Sequence, residues 1–156
     1  MIKTFRELQE VDNMVADLYK KNPKLKDSKF GYSYKRFSDK NYAPVVRDFN
    51  EELATLRVKF ALEDANTKEV LIDRMNVRGF KYDKKNLIEL MSAERKLEEE
   101  FYAKEVELKP FISTMIPDEM EESHIELLKG LVFEESAKAP AKKEVKQDES
   151  NLEQKA

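Results

Sequence analysis

Between Tyr42 and Phe60 the large apolar residues fall at Tyr42, Val46, Phe49, Leu53, Leu56 and Phe60, at spacings of four, three, four, three and four. That period places them on one face of a helix. Arg47, Asp48, Asn50, Glu51, Arg57 and Lys59 fill the other faces. The stretch reads as a central helix against which the rest of the chain packs.

The same spacing occurs earlier at Phe5, Leu8, Val11, Val15 and Leu18. It predicts a first helix from about Thr4 to Lys20, opened by a capping box of Thr4 and Glu7. Asn22-Pro23 stops it, because proline disfavours helical geometry in the residue before it. Pro44 either kinks one long helix or lies in the first turn of a new one capped near Asn41. After about Asp64 the pattern changes period. Val70 and Ile72 alternate in one short strand and Phe80 and Tyr82 in another, predicting a loose β-hairpin. Asp83 caps a third helix whose apolar face is Leu87, Leu90, Met91, Leu97 and Phe101, with Glu94 interrupting the stripe.

Val106, Leu108, Phe111 and Met115 have extended character, and Pro110 assigns that segment to a sheet edge. Ser123 and Glu126 form a second capping-box pattern before a short helix with Ile125, Leu127, Leu128 and Leu131, which Gly130 is placed to end. The expected fold is therefore α+β and predominantly helical: two long helices packed antiparallel, a third alongside, and a small sheet of two or three strands at one end. Residues 1–135 are expected to form one domain. Beyond Ser136 only Val145 and Leu152 are sizeable apolar groups, so residues 136–156 read as a disordered charged tail.

Composition narrows the function. Of 156 residues, 40% are hydrophobic and 39% charged, enough for a modest core under a heavily solvated surface. A net charge of -3 argues against a nucleic-acid packager and is too small for a carboxylate-coated DNA mimic. There is no cysteine, which removes disulfides and thiolate metal sites. No apolar run reaches the roughly 18 residues of a membrane span, and the N-terminus has no signal-peptide core. With a single histidine, His124, a zinc site would need several carboxylates, and Asp118, Glu119, Glu121 and Glu122 lack the spacing of a calcium loop. His124 reads as a solvated or cap-adjacent side chain. Neither a nucleophile motif nor a phosphate or dinucleotide loop is present. No catalytic residue, metal site or cofactor is expected.

Residues 20–40 stand out. Eight basic residues there oppose Asp27 and Asp39 alone, with Phe30, Tyr32, Tyr34 and Phe37 interleaved. Lys24, Lys26, Lys29, Tyr32, Tyr34, Lys35 and Arg36 are the candidate partner-binding residues. The lysines and Arg36 could neutralise phosphates while a tyrosine stacks on an unpaired base. The simpler reading packs the aromatics on the first helix with lysines exposed around them. A third reading sets this basic patch against an acidic surface, such as residues 118–135 of another copy, where seven acidic residues face Lys129 alone.

The order of these elements resembles a group of small, uncharacterised proteins of tailed bacteriophages, often encoded among virion and lysis genes. The likeness lies in the segments FRELQEVDNMVADLY, VVRDFNEELATLRVKFAL, LIELMSAERKLEEEFYAKEVEL and IELLKGLVFEE. The resemblance implies a viral structural or accessory protein and transfers no catalytic residue. The function expected is a non-enzymatic interaction protein, a phage structural or assembly component that recognises protein partners, other phage structural proteins or copies of itself among them. Its place would be the host cytoplasm or the virion. The alternative is a nucleic-acid-binding accessory protein using the 20–40 stretch. No membrane partner is expected.

Overall fold

The computed structural model describes residues 1–140. Its elements in chain order are strand β1 (Ile2–Thr4), helix α1 (Phe5–Lys21), a 3-10 turn (Pro23–Asp27), α2 (Lys29–Phe37), a π-helical turn (Ser38–Tyr42), α3 (Ala43–Lys59), α4 (Lys84–Tyr102), β2 (Glu105–Glu107) and α5 (Glu122–Leu128). The fold is α+β and predominantly helical. β1 and β2 pair as a two-stranded sheet. Backbone bonds from Leu108 N–H to Met1 O (2.9 Å) and from Phe5 N–H to Lys104 O (2.8 Å) run along it in the antiparallel sense. β2 overlaps only the start of the expected edge segment, at Val106, and β1 takes in Thr4, read from the sequence as the cap of the first helix.

Contacts group the chain into two compact units: Met1–Lys3, Glu7–Tyr42 and Val106 onward in one, Thr4–Arg6 and Ala43–Glu105 in the other. In the first, α1 turns Leu8, Val11, Val15 and Leu18 inward, as their spacing predicts. They meet Leu25, Phe30, Tyr34 and Phe37, and from the C-terminal side Met120, Ile125, Leu128, Leu131, Val132 and Phe133. Phe30 is the junction of this core. Its ring lies 5.6 Å from that of Phe133, 6.1 Å from Tyr34 and 6.4 Å from Tyr19, centroid to centroid.

Two polar devices shape the first unit. Asn41, buried in the π-helical turn, donates from Nδ2 to Phe37 O (2.9 Å) and Lys109 O (2.8 Å). Its Oδ1 accepts from Lys109 N–H (2.8 Å), so it imitates a paired strand residue rather than capping a helix. Of the two readings of Pro44, its place in the first turn of a new helix is the one found: α3 begins at Ala43, after the π-helical turn. At the other end, Glu121 N–H donates to His124 Nδ1 (3.0 Å), the cap-adjacent role read for this residue. α5 stops at Leu128, and Gly130 takes φ +76°, the left-handed conformation that favours glycine after a helix.

The second unit is an antiparallel hairpin of α3 and α4. Phe49 packs on Phe101 (5.3 Å between centroids), and Arg57 meets Glu94, so α4 runs backwards along α3. The sequence predicts an antiparallel hairpin of long helices, but its second member is α4, the helix read as lying alongside. The apolar stripe of α3 is not the centre of the protein, however. Phe49, Leu53, Leu56 and Phe60 are half-buried and Val45 is the buried residue of that helix. The physical reason is coverage: within its unit the stripe has one helical neighbour, α4, whereas α1 is enclosed by elements from both ends of the chain.

The β-hairpin predicted after α3 is reduced to antiparallel bridges, Glu63 with Val70 and Ile72 with Phe80. Leu62, Leu71 and Lys81 link these segments through backbone bonds of 2.8–2.9 Å. Asp83 caps α4 as expected, its Oδ1 accepting from Asn86 N–H (2.7 Å). Of the segment read as a disordered tail, residues 136–140 are described, with Ala137 and Ala139 packed on the first unit's core; residues 141–156 lie outside the described residues.

Candidate partner-binding face

The face begins with the 3-10 turn after α1. Leu25 is the buried residue of that turn and ties it to the core. Ser28 then does two jobs. Its Oγ donates to Leu25 O (2.6 Å) and accepts from Gly31 N–H (3.2 Å), so it closes the turn and caps α2 together. Gly31 lets these elements approach closely: a Cβ there would lie 2.5 Å from Leu25 O and closer still to Lys26 O.

Helical spacing sorts the residues of α2. Phe30, Tyr34 and Phe37 are buried, whereas Lys29, Tyr32, Lys35 and Arg36 are exposed or half-exposed. Tyr34 belongs to the core. Its hydroxyl donates to Asp12 Oδ1 on α1 (2.6 Å). Burial, this bond and the Asp12 charge push its pKa far above the usual phenol range. Tyr32 projects outward and is 68% exposed.

A groove of about 400 Å³ lies beside Tyr32. Its walls include Tyr19, Lys26, Asp27, Lys35 and Asp39, over a floor that contains Gly31 and Tyr34. The Lys35 ammonium pairs with Asp39 (2.7 Å), an exposed contact of small energetic weight. The Lys26 ammonium stands 5.7 Å above the Tyr19 ring. Burial, reinforced by the Asp12 charge, raises the Tyr19 phenol to about 12, so it stays neutral near pH 7.

The seven sequence-predicted residues thus divide. Lys26, Tyr32, Tyr34 and Lys35 line this groove. Lys29 lies on α2 outside its lining. Arg36 points elsewhere, its guanidinium 5.6 Å from the Phe111 ring centroid. Lys24 belongs to a second groove, of about 390 Å³, which it shares with Lys21, Met115, Asp118 and Glu119. Basic and acidic segments separated by some ninety residues of sequence therefore meet within one molecule. The sequence reading missed Tyr19, which lies one residue beyond the α1 stripe. It treated Asp27 and Asp39 only as charge offsets, although both line the groove.

The chemistry available at this face is recognition: two ammonium groups, two carboxylates, an exposed phenol and an apolar floor. Among the described residues no group of three or more histidine, cysteine, aspartate or glutamate side chains could hold a metal ion, and no helix is long and apolar enough to cross a membrane. Comparisons with protein-family models, curated proteins and solved structures found no match for this chain.

Proposed function

We propose that the protein is a non-enzymatic interaction protein that recognises polypeptide partners through the α2 face, as a structural or assembly component of a bacteriophage. The observation that carries the recognition reading is the mixed sign of the groove. A nucleic-acid strand favours continuous positive charge and several aromatic faces. Here Asp27 and Asp39 stand among the lysines, and with Tyr34 buried, Tyr32 is the outward-facing tyrosine of α2. A polypeptide segment with side chains of both signs and an apolar group complements such a groove. The viral part rests on the resemblance of the amphipathic segments alone, and with it the host cytoplasm or virion as the place of action.

The test places a photo-crosslinking amino acid at position 32 in cells that make the protein. Crosslinks to polypeptide, lost when Lys26 and Lys35 are replaced by glutamate, are the expected result. Crosslinks to nucleic acid would overturn it. So would micromolar binding of a mixed-sequence oligonucleotide that weakens with salt, at a slope of about −0.7 per phosphate contacted, and is lost when Lys29, Lys35 and Arg36 become glutamate.

A further inference from the structure

The loop between the bridges of the α3–α4 unit displays apolar side chains to water. Met75 is 94% exposed, Val77 95% and Ile72 66%. Single exposed apolar residues need no explanation, but this loop is held rigidly in place. Asp73 Oδ1 accepts from Met75 N–H (3.0 Å) and Asn76 Oδ1 from Arg78 N–H (2.8 Å). Backbone bonds join Asn76 N–H to Asp73 O, Gly79 N–H to Asn76 O and Asp73 N–H to Gly79 O. Arg78 anchors the whole to α4, donating to Glu94 Oε1 from Nε (2.9 Å) and Nη2 (2.7 Å). The loop's polar groups are thus largely satisfied internally, with the apolar groups outermost.

We infer that this tip docks the protein on an anionic lipid surface. Three features favour that occupant. First, the exposed charge at the tip is Arg74, because Asp73 is turned into the loop; from Lys68 to Lys81 four basic residues oppose two acidic ones, and of the four Arg78 is paired with Glu94. Aliphatic side chains with a cation between them suit the boundary between headgroups and acyl chains. Second, most backbone N–H groups from Asp73 to Gly79 are already bonded within the loop, which lowers the cost of leaving water. Third, the same unit repeats the composition on α4, where Lys84, Ile88 and Met91 are exposed at spacings of four and three, with Arg95 four residues further on. A protein pocket is the less suited occupant, because the tip carries none of the aromatic anchors that dominate protein interfaces. The docking is peripheral and needs no spanning helix.

Flotation of the full chain with vesicles tests this. With vesicles of equal parts phosphatidylcholine and phosphatidylglycerol at low salt, the protein is expected to float, and with phosphatidylcholine alone to stay behind. Met75→Glu with Val77→Glu should weaken anionic-vesicle binding at least about tenfold, and Arg74→Glu should weaken it further. Thermal melts of these variants should match the wild type, since the replaced side chains are solvent-exposed. Failure to float with anionic vesicles, equal flotation on both vesicle types, or unchanged binding of the double variant would sink the proposal. Concentration-dependent self-association in sedimentation velocity, abolished by the double variant, would instead assign the tip to a second copy.

Discussion

Replacing Gly31 by alanine sets two effects of opposite sign against each other. Helix propensity favours alanine over glycine by about 1 kcal/mol in a helix interior. Against that, the new Cβ would meet the carbonyl oxygens of Leu25 and Lys26 and the Lys26 carbonyl carbon at 2.6 Å, all of them backbone atoms. Side chains could swing aside; a 3-10 turn fastened by Leu25 cannot do so without moving. Overpacking of this kind costs about 1–3 kcal/mol, and separating the turn from α2 weakens the Ser28 cap, worth about 1 kcal/mol. The net expectation is a loss of about 1–3 kcal/mol, once the propensity gain is subtracted. For a chain of this length that lowers the melting temperature by about 2–4 °C per kcal/mol. Urea denaturation followed by far-ultraviolet circular dichroism, with a thermal melt, measures it. Gly79→Ala is the control: φ is +86° there and nothing lies within 4 Å of the added Cβ, so only backbone strain is felt. A Gly31→Ala protein as stable as the wild type would show that the turn and α2 are loosely apposed, and that close backbone packing at Gly31 does not form the groove floor.

Three other outcomes follow from the same contacts. Burial opposes ionisation of Glu94, but hydrogen bonds from Arg78 and Arg57 outweigh it and hold its carboxyl below the usual range; its contribution is therefore present above an unfolded pKa of about 4.3 and is lost as pH falls through the folded value. Glu94→Gln should be less stable than wild type at neutral pH, with the gap narrowing in urea titrations as pH drops below about 4; a pH-independent gap would mean the ion pairs contribute nothing. Tyr19 and Tyr34 are shifted upward, so their contribution holds below an unfolded pKa of about 10 and is lost as pH rises beyond it; absorbance at alkaline pH should show these two phenols ionising only as the protein unfolds, and early ionisation of all six tyrosines would contradict their burial. Asp83→Ala should cost about 1 kcal/mol through loss of the α4 cap, and a melt unchanged within error would show that Asn86 N–H finds another acceptor.

Local rules read well in this sequence. The α1 stripe, the stop at Asn22-Pro23, the Asp83 cap and the Gly130 terminus each follow from residues within one or two turns, and each is found. The order of importance did not follow. Six well-spaced apolar residues made α3 look central, but periodicity reports a face, not how many neighbours cover it; α1 gains its enclosure from residues more than a hundred positions away. Glu94 interrupts the α4 stripe, and its reason is an arginine on α3 and another on a loop. The role of Gly31 is visible only once the 3-10 turn lies against it. The candidate site was legible in part. Charge composition located α2 as the basic, aromatic element; the helical phase that buries Tyr34 and exposes Tyr32 needed the packing partner, and the groove needed Tyr19, Asp27 and Asp39 brought around it.

Asn41 has a bearing on the order in which the chain assembles. It joins two points 68 residues apart in sequence, Asn41 itself and Lys109, and nearly everything between them belongs to the α3–α4 unit. Closing so long a loop in an unstructured chain is entropically unfavourable. An antiparallel hairpin, however, returns the chain to its starting end, so a prefolded α3–α4 pair leaves fewer than about ten flexible residues to close, a saving of roughly 2 kcal/mol. A prefolded insertion is thus expected to ease closure of the unit it interrupts. Weakening the hairpin, for example through Phe101→Ala, should slow formation of the α1 core more than tenfold even though none of that core's contacts is removed, in the manner of topology-limited folding.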